Sequence, residues 1–188
     1  MFRGGFMSVM SDGFANMTRK VLSADFFNGG GAGGDLPYYI YHYAPEQEQE
    51  LRSLLPDFIK NIQVNSGKNI LKVDLLELII DQFKNISDLE AVYELQQNDP
   101  DVLLSMVNVD RLASAIRSKK DEIDADLIII TGVGKVYPML RTHNLLNVLH
   151  SEIDNMPVIM FFPGDYSGAA LKLFGILPES NYYRAFKI

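Results

Sequence analysis

At 188 residues, with 47% apolar and 11% aromatic content, the chain can close a core without staples; a disordered chain is excluded. It has no cysteine, which excludes disulfides and thiolate metal sites. A net charge of −7 argues against stand-alone nucleic-acid binding, and no apolar run approaches the roughly 20 residues that span a bilayer.

Residues 1 to 9 read as a leader, with Met7 and Met10 as alternative starts. Arg3 is not followed by the continuous apolar stretch of a signal peptide, so the chain reads as soluble and cytoplasmic. From Met10 to Phe27 a helical pattern places Phe14, Met17, Val21 and Leu22 near one face. Asn28 to Gly34, NGGGAGG, then breaks the chain. A phosphate loop should follow a strand and open a helix, whereas this run sits between a helix and a strand, so it reads as a connector. Residues 1–34 thus divide from a single α/β domain over 35–188.

Pro37 to Tyr43 is rich in β-formers and is expected as the first strand, with Tyr39, Tyr41 and Tyr43 on one face and Tyr38, Ile40 and His42 on the other. Ala44-Pro45-Glu46 turns into a helix carrying Leu51, Leu54, Leu55, Phe58, Ile59 and Ile62 at helical spacing. Pro56 inside it should kink or split that helix. Asn65-Ser66-Gly67 is a turn and Lys68 to Val73 a second strand. Asp74 and Glu77 resemble a capping box, Ser87 and Glu90 repeat the signal, and Asp99-Pro100 starts a third helical stretch. Its apolar residues, from Val102 to Ile116, suggest one long or broken helix to about Lys120, so residues 74 to 120 form an inserted helical segment.

Leu127 to Thr131 is a fully apolar run, as in an interior parallel strand covered on both faces. A glycine-punctuated turn, Thr131-Gly132-Val133-Gly134, leads past Tyr137-Pro138 to a helix from about Thr142 to His150. Val158 to Phe162 is a fourth strand of the same buried kind. Pro163 to Gly168, containing Gly164, Asp165 and Tyr166, is expected as a second polar loop at a strand's carboxyl end. Ala170 to Phe174 is a short strand or turn, and Asn181 to Lys187 gives the last strand. Strands and helices in this alternation predict a three-layer, Rossmann-like α/β fold with a mainly parallel sheet, whose ligands sit at the loops following the strands.

Those two loops carry the candidate ligand or interaction residues: Thr131, Gly132, Gly134, Tyr137, Arg141, His143, Gly164, Asp165 and Tyr166. Gly132-Val133-Gly134-Lys135 resembles part of a nucleotide loop. It lacks the phosphate-loop spacing, Val136 stands where a magnesium-holding Ser or Thr would be, and position 137 breaks the dinucleotide fingerprint. The plainer reading is a tight turn that needs glycine dihedrals. Arg141 could clamp a carboxylate or phosphate and His143 could act as a general base, or both could pin loops. Arg141 and Asp165 could meet as an ion pair across the loops. Ser167-Gly168 is not a nucleophile elbow, and the three histidines, His42, His143 and His150, show no metal-binding spacing. No catalytic residue, metal or cofactor is expected.

Four strings taken in order, PYYIYHYAPEQEQELR, TGVGKVYPMLRTHNLLNVLH, PVIMFFPGDYSGAALKLFG and NYYRAFKI, resemble the BrxB family, a small component of the BREX phage-defence systems. The resemblance covers about residues 35 to 188. The motif positions are Thr131, Gly132, Gly134, Tyr137, Pro138, Arg141, His143, Pro163, Gly164, Tyr166, Gly168, Asn181, Tyr182, Tyr183 and Arg184. It implies a place in a multi-protein complex that restricts phage DNA, with partners including the phosphatase-like PglZ protein, an ATPase and a DNA methyltransferase. No catalytic activity comes with the family. The resemblance therefore implies a non-enzymatic adaptor that docks on PglZ. The alternative from the residues is a small-molecule or nucleotide-responsive domain, a degenerate enzyme using the strand-end loops.

Overall fold

Each interior strand carries apolar side chains on both faces, so the sheet must be covered twice. One face presents Tyr38, Ile40, Leu71, Val73, Ile128, Ile130, Met160 and Phe162, and the other Tyr39, Tyr43, Ile70, Leu127, Ile129, Ile159 and Phe161. In the computed structural model, residues 9–27, 37–86, 89–99, 101–153, 156–178, 180–182 and 185–188 are described. Of the leader expected over residues 1 to 9, Val9 instead opens the first helix, and the rest, with the glycine connector, the Ser87 helix start, Pro100, Tyr183 and Arg184, lies outside the described residues.

Among the described residues seven strands form: β1 (Tyr38–Tyr43), β2 (Ile70–Asp74), β3 (Leu127–Thr131), β4 (Val158–Tyr166), β5 (Ala170–Leu173), β6 (Ser180–Asn181) and β7 (Phe186–Lys187). The order β2-β3-β4-β1-β7 is parallel throughout, and β5 and β6 add antiparallel strands beyond β4. Helices α1 (Val9–Val21) and α2 (Glu48–Ser66) close the Tyr39 face. The Tyr38 face is closed by α3 (Leu75–Ile86), α4 (Leu89–Asn98), α6 (Val109–Glu122) and α7 (Thr142–Glu152), with the short α5 (Val102–Met106) between α4 and α6. This is the mainly parallel three-layer fold expected, with α3 to α6 as the inserted helical segment. Every residue of β3 is buried. At about 1.5–3 kcal/mol for each fully buried aliphatic side chain, Leu127 to Ile130 form one of the strongest contributions to the core. No helix among the described residues is long and apolar enough to cross a membrane.

Several local expectations change. The first helix ends at Val21 rather than Phe27, and β2 starts at Ile70 rather than Lys68. Pro56 does not split α2, which runs unbroken from Glu48 to Ser66. Pro56 is exposed, so the carbonyl it deprives of a donor, that of Arg52 one turn back, can turn to water. The helix after Asp99 does break: Val107 and Asn108 leave helical geometry, and Asn108 restarts the chain by accepting the Arg111 amide at 2.8 Å.

The largest change is in β4. The stretch from Pro163 to Tyr166, expected as a loop, continues the strand and turns from parallel pairing with β1 into an antiparallel hairpin with β5. The bend falls at Gly164, whose φ is +144°; a side chain there would run into the Lys172 backbone carbonyl. The Phe174 amide caps the bend on the Pro163 carbonyl at 2.8 Å. At the far end the Ser167 hydroxyl accepts the amides of Ala169 and Ala170 at 3.3 and 3.0 Å. The single last strand expected from Asn181 to Lys187 is two short ones, since β6 pairs with β5 while β7 reaches β1 at Tyr39 and Ile40.

Candidate functional site

The carboxyl ends of β2 and β3 lie side by side, with Asp74 in register with Thr131. The Thr131 hydroxyl donates to the Val73 carbonyl at 3.2 Å, in a buried setting. The chain then turns through Gly132 at φ +78°, and a 3₁₀ turn over Val133–Lys135 brings the Lys135 ammonium back to the Asp74 carboxylate at 2.5 Å. That carboxylate fills the space where a side chain at Gly132 would stand: a Cβ there would lie 2.7 Å from Asp74 Oδ1. The same oxygen accepts the Leu76 amide at 3.1 Å and so caps α3. Burial works to raise the pKa of Asp74, but the Lys135 ammonium and the first amides of α3, from Leu76 and Glu77, outweigh it and hold the carboxyl below its usual range.

The second glycine of the turn faces β4 and its hairpin. A Cβ on Gly134 would come within 2.8 Å of the Phe174 ring and 3.1 Å of Pro163. The turn is therefore fastened on one side to β2 and on the other to the β4–β5 hairpin. Its glycines serve close approach. Sequence reasoning read Asp74 only as a helix cap and passed over Lys135 as its partner, and Pro163 and Phe174 as the neighbours of Gly134. The capping signal at Asp74 was visible, but the strand register that sets it beside Thr131 was not.

Downstream, Tyr137 and Pro138 are joined by a cis peptide bond. Arg141 occupies the N-cap position of α7 without making a side-chain cap. Tyr137, Arg141, Thr142 and His143 line a cavity of about 110 Å³ whose other walls are apolar, including Leu140, Phe162 and Leu171. Burial and then the neighbouring Arg141 charge lower the pKa of His143, so its ring is neutral at pH 7.

The candidate residues thus fall into separate groups. Tyr137, Arg141 and His143 share the small cavity. Thr131 lines a different space, a groove of about 600 Å³ between α2 and the ends of β2 and β3, with Arg52, Lys60, Lys72, Asp74 and Lys135. Gly132 and Gly134 border a third recess with Pro163 and Phe174. Gly164, Asp165 and Tyr166 lie in the β4 extension and line none of these spaces.

Among the described residues no ion pair joins Arg141 to Asp165. Strand alternation explains this: the Arg141 cavity lies against Phe162 and Leu171, while Asp165 pairs with Lys172 at the alternate positions of the hairpin. Tyr166 is committed elsewhere. Its hydroxyl donates to the Ala185 carbonyl at 2.7 Å, with the Tyr182 and Gly168 carbonyls at 3.3 and 3.2 Å. Burial raises its pKa. His42, on β1, sets Nδ1 3.3 Å from the Gly164 carbonyl at the β4 bend. Among the described residues no group of three or more His, Asp or Glu side chains is arranged to hold a metal ion.

A model of the family described as BREX protein BrxB matches residues 71–188. A protein named BREX protein BrxB from Bacillus cereus (strain H3081.97) is 32% identical over 178 residues, spanning 90% of this chain and 92% of that one. One of the same name from Escherichia coli O9:H4 (strain HS) is 27% identical over 168 residues, spanning 87% of this chain and 83% of that one. No solved structure matches the chain.

Proposed function

The chain belongs to the BrxB family of BREX proteins, and from that premise we propose that it serves its antiviral defence system as a non-enzymatic adaptor that docks on the PglZ protein. One observation supports this reading above the rest: polar side chains at the ends of β2, β3 and β4 are spent on the molecule itself. Asp74 and Lys135 hold the Gly132 turn, Gly134 seats Pro163 and Phe174, and Tyr166 holds the carbonyl of Ala185. A catalytic edge keeps polar groups free to meet a substrate; here they brace strand ends, as suits a rigid body presented to other proteins. The test is co-purification of the chain with PglZ from the same system. A stable complex at micromolar concentration is expected, and two folded proteins that stay apart at that concentration would overturn the reading.

A second reading rests on the Tyr137, Arg141 and His143 cavity. A cationic guanidinium and a neutral imidazole beside the amino end of α7 suit a small anionic ligand, such as a nucleotide or phosphate. A ligand present at 100 times its dissociation constant stabilises the fold by about 2.7 kcal/mol. A thermal-shift screen with nucleotides and phosphate reads that stabilisation. No shift with any of them removes this reading, as does a shift that persists unchanged in Arg141→Ala.

A further inference from the structure

Among the described helices of ten or more residues, α4 is the least covered. Of its ten residues only Val92 is buried. At 100° per residue Leu95, Val92, Leu89 and Tyr93 fall within an arc of about 160°, interrupted by Gln96 between Val92 and Leu89. A surface helix would ordinarily bury such an arc whole. Here only its middle is covered: Leu89 is 43% exposed, Tyr93 61% and Leu95 48%. Leu104, on the short α5 packed against α4, is 41% exposed as well.

The charge around this arc has one sign. Residues 89–106 contain Glu90, Glu94, Asp99 and Asp101 and no Lys, Arg or His. All four acids are exposed, and among the described residues none is in an ion pair. On the helical wheel Glu90 and Glu94 fall next to Tyr93, one turn apart, so an acidic rim runs along the exposed edge of the apolar arc.

We propose that α4 is the docking helix of this adaptor, and that it lays Leu89 and Tyr93 into an apolar groove of a partner protein whose rim carries Lys or Arg opposite Glu90 and Glu94. The inference rests on the adaptor reading and names the surface that reading requires. The apolar arc calls for an apolar groove, the commonest way a helix is recognised. The unpaired acids select a basic rim, because unlike charges steer encounter and fix register while an acidic partner would be repelled. An exposed tyrosine such as Tyr93, 61% exposed, is one of the residue types enriched among the residues that dominate protein interfaces.

The experiment co-expresses the tagged full chain with the other proteins of its BREX system and measures the retained partner's affinity. Two variants are compared with the parent: Leu89→Ser with Tyr93→Ser, and Glu90→Lys with Glu94→Lys. Both pairs are exposed, and an unchanged melting temperature in each variant establishes that the fold is intact. Each is expected to weaken the partner by about tenfold or more. Rising salt is expected to weaken the parent complex and to have less effect on the lysine variant. A partner held equally by both variants overturns this surface and leaves the adaptor role standing. Loss in the serine variant alone overturns the basic rim. A parent chain that retains none of the system's proteins overturns the adaptor role, and this surface with it.

Discussion

Substituting Gly132 by alanine tests the claim that the β3 turn is built around the Asp74 carboxylate. The new Cβ would stand 2.7 Å from Asp74 Oδ1 and 3.0 Å from its Cγ, at a φ of +78°. Holding an alanine in the left-handed region costs about 1–2 kcal/mol. Moving the carboxylate aside removes the cap on the Leu76 amide, about 1 kcal/mol, and loosens the Lys135 pair, up to about 1 kcal/mol for a partly exposed bridge. The total is about 2–4 kcal/mol, or a fall in Tm of about 4–16 °C for a chain of this size. Asp74→Ala alone should cost about 1–2 kcal/mol, for the same cap and bridge. In that background the carboxylate is gone, so Gly132→Ala should cost only its dihedral. The double variant is therefore expected to fall short of the sum of the single losses by about 1–2 kcal/mol. Urea unfolding of the four proteins, followed by circular dichroism, measures this coupling. Losses that add to within about 0.5 kcal/mol would refute the reasoning, because additivity marks residues that do not touch.

Other outcomes follow from the same geometry. Tyr166→Phe leaves the Ala185 carbonyl without its 2.7 Å donor. It should cost about 1–3 kcal/mol in urea unfolding and speed amide exchange in residues 185–188. Pro56→Ala should stabilise the protein by about 1–3 kcal/mol, since it restores a backbone bond inside α2 without disturbing a buried side chain; a loss of stability would mean that Pro56 packs in a way its exposure does not suggest. His143 and His42 both have lowered pKa values. For His143 the causes are burial and then Arg141; for His42 they are burial and then Lys187, opposed by the Gly164 carbonyl and Asp165. Each therefore contributes stability that is complete above the unfolded histidine pKa, about 6.5, and is lost as pH falls towards the folded value. Tm should drop between pH 7.5 and pH 5.5, by about the acid range of those two rings, and the drop should shrink in His42→Gln with His143→Gln.

Much of this protein was legible along the chain because the signals were local. The unbroken apolar run Leu127 to Ile130 reads as a strand covered on both faces, and it is one. The alternation in Tyr38 to Tyr43 sorts the side chains onto the two faces they occupy, and the spacing in α2 marks its buried side. Asp74 announces α3 through the cap it makes. Periodicity and capping depend on neighbours a few residues away, so they survive without knowledge of the rest of the fold.

The candidate site was not legible in that way, because it depends on which strand lies beside which. Nothing near Gly132 states that Asp74, 58 residues earlier, will stand in register next to Thr131. Proline and glycine at 163 and 164 read locally as a loop; β1, more than a hundred residues earlier, pairs with Pro163, and the hairpin strand β5 pairs with Gly164, which together make them strand. Arg141 and Asp165 look like partners along the chain and are kept apart by the faces of the hairpin. The sequence by itself determined most of the elements, their apolar faces and the resemblance to the family. Tertiary structure alone decided that the strand-end turn braces the sheet, because register and strand order arise from long-range pairing that no local pattern encodes.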